Sequence, residues 1–331
     1  MRKQTYSIKN VYINSCFASV GQKESEGPLG EYFVAIYTDD SLGQESWEMA
    51  ESTLMKNTVS GAFTGAKLTP DEVDIIFAGD LLNQCKASSF GLKELGIPFV
   101  GLYGACSTFA EGLCVASTMI DGGFIKNSAV CASSHFCSSQ KQYRFPLEYG
   151  EVRTPTSQWT VTGSGCAILS SKQGFAKITD ITIGKMVDKG ISDANNMGAA
   201  MAPATADTIY AHFEETGYKP SDYDCIITGD LADVGSDILI ELLLQKNLDI
   251  SKNHGDCGKL IFNRQTQNVN SGGSGCGCVA SVFSGFFAKK IMSGELKRVL
   301  LIGTGALMSP SSVLVGEPIS GIAHAVAIEG V

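Results

Sequence analysis

At 331 residues the chain exceeds the size that one hydrophobic core usually reaches, so two domains or two fused halves are expected. A net charge of −9, an aromatic content of 8% and scattered lysines and arginines leave no basic face for nucleic acid. No stretch approaches the ~18 to 20 uninterrupted apolar residues of a membrane span, and the first residues carry no apolar signal region, so a protein made and kept in solution inside the cell is expected.

In chain order, the run from Val11 to Ala18 reads as a first strand. Turn residues then dominate from Gly21 to Gly43, apart from a short apolar run at Tyr32 to Tyr37. Trp47, Ala50, Leu54 and Val59 recur at helical spacing and predict a surface helix over 45–61. Leu68 to Asp74 reads as a capped turn leading into Ile75–Asp80, a short buried strand that ends on an aspartate. Next comes Gly101-Leu102-Tyr103-Gly104-Ala105-Cys106-Ser107, a glycine-punctuated turn that opens a helix of small apolar residues reaching Asp121. A cysteine at such a turn faces unpaired backbone N–H groups and the positive end of the helix dipole, the setting of a nucleophile or an anion site. Ser128 to His135 then reads as a central strand that delivers polar residues at its end.

The second part of the chain repeats the first. Asp74-Ile75-Ile76-Phe77-Ala78-Gly79-Asp80-Leu81 recurs as Asp224-Cys225-Ile226-Ile227-Thr228-Gly229-Asp230-Leu231. The strand approached through Gly123-Phe124-Ile125-Lys126 recurs after Gly294-Glu295-Leu296-Lys297. Between the paired strands the Cys106 turn has a counterpart in Ser271-Gly272-Gly273-Ser274-Gly275-Cys276-Gly277-Cys278, which also opens a small-residue helix. We therefore divide the chain into halves at 1–175 and 176–331, with both loops directed to their shared interface. The eleven cysteines lie mostly in apolar strand or helix contexts and read as reduced thiols.

This constellation resembles the thiolase and ketoacyl synthase III superfamily, over nearly the whole chain. The resemblance implies an α/β fold in which two pseudo-duplicated βαβαβ halves pack as a five-layered α/β/α/β/α sandwich. In that superfamily a cysteine thiolate attacks an acyl thioester, aided by histidine and asparagine, or two histidines, from the second half. Here Gly229-Asp230 stands where the synthases carry histidine, and Ser274-Gly275-Cys276-Gly277-Cys278 stands where the second partner is carried. An aspartate beside the thiol raises its pKa, opposite to what a condensing enzyme needs.

Longer strings resemble, more narrowly, the stage V sporulation protein AD family: Ser133-Ser134-His135-Phe136, Arg144-Phe145-Pro146-Leu147-Glu148-Tyr149-Gly150, Gln158-Trp159-Thr160-Val161-Thr162-Gly163, Met197-Gly198-Ala199-Ala200-Met201-Ala202-Pro203 and Val315-Gly316-Glu317-Pro318-Ile319. That resemblance implies a non-catalytic protein that binds pyridine-2,6-dicarboxylate (dipicolinic acid). It also implies that the protein serves the movement of that compound in sporulation and germination. The protein would be peripheral at the spore inner membrane, held by membrane proteins of the stage V sporulation A assembly. The superfamily also implies a homodimer paired through Ser128 to Ser134, covering an open sheet edge.

A planar dicarboxylate needs donors for two carboxylates and flat apolar walls. Candidates for the ligand site are Cys106 at the pocket floor, His135 at a strand end, Arg144, Lys86, Ser274, Cys276 and Asp230, with backbone N–H groups of the Cys106 and Cys276 turns. Asp80 and Asp230 read as caps of the segments that follow them. No cofactor is expected, though calcium could bridge these carboxylates to the ligand. Cys257, Cys276, Cys278 and His254 lack the spacing of a zinc site, and Trp159 reads as a core anchor rather than a stacking partner. The alternative is a divergent acyl-thioester condensing or hydrolysing enzyme with Cys106 as nucleophile and His135 as base.

Overall fold

The computed structural model describes residues 2–143 and 153–331. The first half contributes strands β1 (Tyr12–Gly21), β2 (Ile75–Gly79), β3 (Phe99–Gly101), β4 (Asn127–Ser134) and β5 (Gly163–Ser170). The second contributes β6 (Ala176–Ile183), β7 (Cys225–Thr228), β8 (His254–Asp256), β9 (Arg298–Leu307) and β10 (Ser320–Gly330). Their order is β3-β2-β4-β5-β1-β6-β10-β9-β7-β8, so each strand of one half has its counterpart in the mirrored place of the other. Pairing directions agree as well: β2 is parallel to β3 and β4, as β7 is to β8 and β9, while β5 and β10 run antiparallel to their neighbours. Strand β1 meets β6 through two residue pairs, Tyr12 with Lys177 and Ile13 with Ala176, and Thr5–Ser7 adds three more along β6.

Helices α1 (Trp47–Ala66) and α2 (Lys86–Leu92) cover the outer face of the first half. Ser46 caps α1 by accepting from the Met49 N–H, and the helix stops at Lys67, which takes a left-handed φ of 56°. Between those ends Leu54, Met55, Val59, Ala62 and Phe63 share the buried face. Helix α3 (Thr108–Asp121) lies between the halves and packs on β2 and β4 on one side and on β9 and β10 on the other. Beyond the second half lie α5 (Met197–Thr216) and α6 (Ala232–Leu244). The layers are therefore helix, sheet, helix, sheet, helix, and the central helical layer is where both glycine-rich turns arrive.

One expectation is overturned. The strand containing Ser128 to Ser134 is not an open edge, because β4 is hydrogen-bonded to β2 on one side and to β5 on the other. The first half ends instead at β3, whose Phe99 and Val100 are both 39% exposed.

Candidate functional site

Cys106 sits in the single tight turn Ala105–Ser107 that feeds α3. Ala105 there holds a left-handed φ of 48°, a conformation that costs an alanine energy and persists because the surrounding packing enforces it. The turn forms the floor of a cavity of about 260 Å³. Ser274 lines the same floor, and the short parallel pair of Gln158–Thr160 with Gly272–Ser274 builds one wall. Ser139, Gln140 and Tyr143 reach in from α4 (Phe136–Tyr143), while Asn195, Met197, Met308 and Val313 close the remainder. Ser139 Oγ and Gln158 Oε1 are buried in this lining with no hydrogen-bond partner among the described residues.

Beneath the floor, Asp230 is fully buried. Its carboxylate accepts from Thr304 Oγ1 at 2.7 Å and from the Gly275 N–H at 3.0 Å, and its charge acts on the Cys106 thiol nearby. Its sequence counterpart Asp80 behaves differently, accepting from the Leu82 N–H, the Ser88 N–H and Ser88 Oγ. Asp80 thus caps the segment after its strand, as expected. Asp230 does not, because Asp256 at the end of β8 takes the Leu231 and Ala232 N–H groups at 2.9 and 3.0 Å. Relieved of that role, Asp230 faces the cysteine.

The electrostatics follow from burial. Desolvation, then the negative charge of Asp230, push the Cys106 thiol well above its ordinary value, so it is a neutral S–H at physiological pH. Burial raises Asp230 to about 6 against the opposing pull of its donors.

Among the expected site residues, Cys106 and Ser274 line the cavity and Asp230 supports it. Cys276 lies behind the floor, its thiol donating to the Ala105 carbonyl at 2.9 Å. His135 does not reach the cavity. Its Nδ1 accepts from the Cys137 N–H, its Nε2 donates to the Asp40 carbonyl at 2.8 Å, and Trp47 stacks on its ring, so it is a satisfied core residue rather than a ligand or base. Lys86 lines a neighbouring open cleft of about 790 Å³ that shares Tyr143 and Val313 with the cavity, and its ammonium sits 3.4 Å from the Phe90 ring centre. Arg144 lies outside the described residues.

In the second turn the Gly275 and Gly277 N–H groups are not open to an anion, since Gly275 donates to Asp230 and Gly277 to Ser134 Oγ. Among the described residues no group of three or more His, Cys, Asp or Glu side chains could hold a metal ion. The carboxylates of Asp80 and Asp230, which calcium would bridge to the ligand, both already accept from protein donors.

A sequence model of the stage V sporulation protein AD family matches residues 2–329. The stage V sporulation protein AD of Bacillus subtilis (strain 168) is 43% identical over 328 residues, covering 99% of this chain and 97% of that protein. The chain belongs to the stage V sporulation protein AD family.

Solved structures place the same fold among condensing enzymes. The 3-oxoacyl-[acyl-carrier-protein] synthase III of Aquifex aeolicus VF5 superposes with a TM-score of 0.59 at 14% identity, over 96% of this chain and 99% of that one. An OleA variant of Xanthomonas campestris gives a TM-score of 0.63 at 14% identity, over 98% and 97%. At such identity the likeness is one of fold alone.

Membership in the stage V sporulation protein AD family assigns the chain a role in sporulation. It also bears on the residues that sequence reasoning missed, because the family string containing Gln158-Trp159-Thr160 supplies a cavity wall. Gln158 and Thr160 face the cavity while Trp159, one residue between them, turns away to stack on Phe136 with ring centres 3.9 Å apart. Strand alternation carries that signal once the stretch is read as a strand. No helix among the described residues is long and apolar enough to cross a membrane.

Proposed function

We propose that the cavity above Cys106 binds pyridine-2,6-dicarboxylate without chemical turnover, and that through this binding the protein serves the movement of the compound in sporulation and germination. The observation that carries this reading is a superfamily cysteine turn in which burial and the charge of Asp230 keep the thiol neutral, on the floor of a cavity whose Ser139 hydroxyl has no partner among the described residues. Nothing in that arrangement ionises the thiol, whereas the cavity has unspent hydrogen-bonding capacity. Ser139 and Thr160 offer hydroxyl groups to carboxylates, and Leu81, Ala306 and Met308 offer apolar wall to a ring. Lys86 in the adjoining cleft favours the approach of an anion, whereas Lys141 there is paired with Glu48 at 2.6 Å.

Family membership supports placing the protein at the spore inner membrane with membrane proteins of the stage V sporulation A assembly as partners. A homodimer formed through the exposed edge β3 is the corresponding reading of Phe99 and Val100.

The test is titration calorimetry with pyridine-2,6-dicarboxylate, with and without calcium, using pyridine-2-carboxylate as control. Saturation that needs both carboxylates supports the reading, and absence of saturation removes it. The condensing-enzyme likeness of the fold keeps one rival, acyl transfer by Cys106. Intact-mass measurement after incubation with acyl-coenzyme A decides it: an adduct lost in Cys106→Ala would establish the enzyme reading.

A further inference from the structure

We infer that the cavity takes the dicarboxylate as its monoanion, with one carboxyl group protonated and donating to Gln158 Oε1, so that Gln158 selects the charge state of the ligand. The inference rests on the dicarboxylate reading of the cavity.

The orientation of the Gln158 amide is fixed by its neighbours. Its Nε2 donates to the Asp230 carbonyl at 2.5 Å and to the Gly273 carbonyl at 3.2 Å, which spends both of its N–H groups. A flipped amide would set Oε1 against those two carbonyl oxygens with no hydrogen between them. Oε1 is therefore the end left over, on a side chain that lines the cavity and is 4% exposed, and it has no partner among the described residues. An amide oxygen only accepts, so a ligand atom that meets it must carry a hydrogen. Ser139 Oγ, the other unpartnered atom of the lining, can donate. One donor and one acceptor match a ligand with one carboxylate and one carboxylic acid, whereas a dianion would set oxygen against oxygen at Gln158.

The charges around the cavity favour the same form. Its described lining holds no lysine, arginine or histidine, and Lys86 lies in the adjoining cleft. The titratable groups of the lining are the Cys106 thiol and the Tyr143 hydroxyl, both raised by burial, with Cys276 behind the floor and Asp230 beneath it. A cation does touch Gln158, through the backbone: Arg153 Nη2 donates to the Gln158 carbonyl at 3.0 Å. The guanidinium lies 4.5 Å from the ring centre of Trp159, which turns away from the cavity. Protonating an ordinary carboxyl near 4 costs about a thousandfold in population at pH 7. Burying a second carboxylate without a cation costs more. The proton comes from solvent and stays on the ligand, and no covalent bond to the protein forms.

The test compares three pyridines by calorimetric titration of the whole chain in metal-free buffer: pyridine-2,6-dicarboxylate, 6-carbamoylpyridine-2-carboxylate and 6-methoxycarbonylpyridine-2-carboxylate. The last two are monoanions at neutral pH, and of these only the amide can donate to Gln158 Oε1. At pH 7 the amide is expected to bind at least about tenfold more tightly than the ester, a preference that disappears in Gln158→Met. Between pH 6 and 8 the affinity of the dicarboxylate relative to the amide is expected to fall about tenfold per pH unit, because only the dicarboxylate must take up a proton. Ionisation of Asp230 in that range acts on both ligands alike and cancels in the ratio.

A dicarboxylate-to-amide ratio that does not change with pH overturns the inference and leaves the ligand reading standing, as does an ester that binds as tightly as the amide. A preference for the amide that survives Gln158→Met places the donor contact elsewhere and also overturns it. No saturation by the dicarboxylate at any of these pH values removes the ligand reading, and the inference with it. The pH comparison on the unaltered protein decides the case even if Gln158→Met fails to fold.

Discussion

Across the boundary between the two halves of the fold, the buried carboxylate of Asp230 acts on the thiol of Cys106 and, after burial itself, raises it above its ordinary value. The helix-opening turn of the first half thus meets the strand end of the second, and the cysteine is held as a neutral thiol.

One consequence concerns thiol reactivity. Cys106 is 6% exposed and its thiol is held high by burial and by Asp230. Alkylation by iodoacetamide at pH 8, followed by peptide mass spectrometry, is expected to label Cys106 at least about tenfold more slowly than a free cysteine. Asp230→Asn removes the negative charge and is expected to raise the rate. An Asp230→Asn rate no higher than that of the unaltered protein would show that the aspartate charge does not suppress the thiol.

The two strand-end aspartates are expected to differ in stability. Asp80→Ala strands the Leu82 and Ser88 N–H groups in a buried setting and is expected to cost about 2 to 4 kcal/mol by denaturant unfolding. Asp230→Asn keeps the shape of its side chain and an acceptor for Thr304, and is expected to cost less than half as much. Equal losses would mean that Asp230 has the same capping role as Asp80.

Stability should fall with rising pH. Burial raises Glu24 to about 8, and burial followed by the charge of Asp80 raises Glu51 to about 8. Both lie above the unfolded value, so the unfolded chain binds fewer protons than the native one between those limits. The stabilisation from their neutral forms is complete below the unfolded carboxyl range near 4 and is lost as pH rises through about 8. Urea midpoints at pH 6, 7 and 8 are expected to decrease in that order, and Glu51→Gln should flatten the trend. A rising series would contradict the assigned protonation.

Gly275 is a point of close approach. It holds a φ of 107°, and a Cβ there would lie 2.6 Å from Ser134 Oγ. Gly275→Ala is therefore expected to cost about 1 to 3 kcal/mol and to weaken ligand binding, because the same residue donates to Asp230 beneath the cavity. Calorimetry beside an unfolding curve separates the two losses.

The exposed edge β3 gives a prediction about assembly. Val100→Asp is expected to shift a dimer to monomer in sedimentation velocity, since it places charge on the edge strand without entering the cavity lining. An unaltered protein that sediments as a monomer, or a Val100→Asp dimer, would exclude β3 as the interface.

Much of the fold was legible in the residues themselves. The recurrence of Asp74–Leu81 as Asp224–Leu231 marks β2 and β7, and the two glycine-rich turns mark the loops that meet at the centre. These signals are local: hydrophobic period, turn chemistry and a repeated string act over a few neighbouring residues. Position in the sheet was less accessible, because the apolar run of β4 does not say whether one partner or two lie beside it, and two do.

The site divided in the same way. By sequence alone, Cys106, Ser274 and Asp230 could be named, because each sits at a turn that the duplicated pattern carries to the centre. Only tertiary structure decided that His135 is consumed by Asp40 and Cys137, that Lys86 belongs to the next cleft, and that Asp256 frees Asp230 to meet the thiol. Every buried backbone N–H must find an acceptor, and which carboxylate supplies it depends on loops brought together from distant parts of the chain.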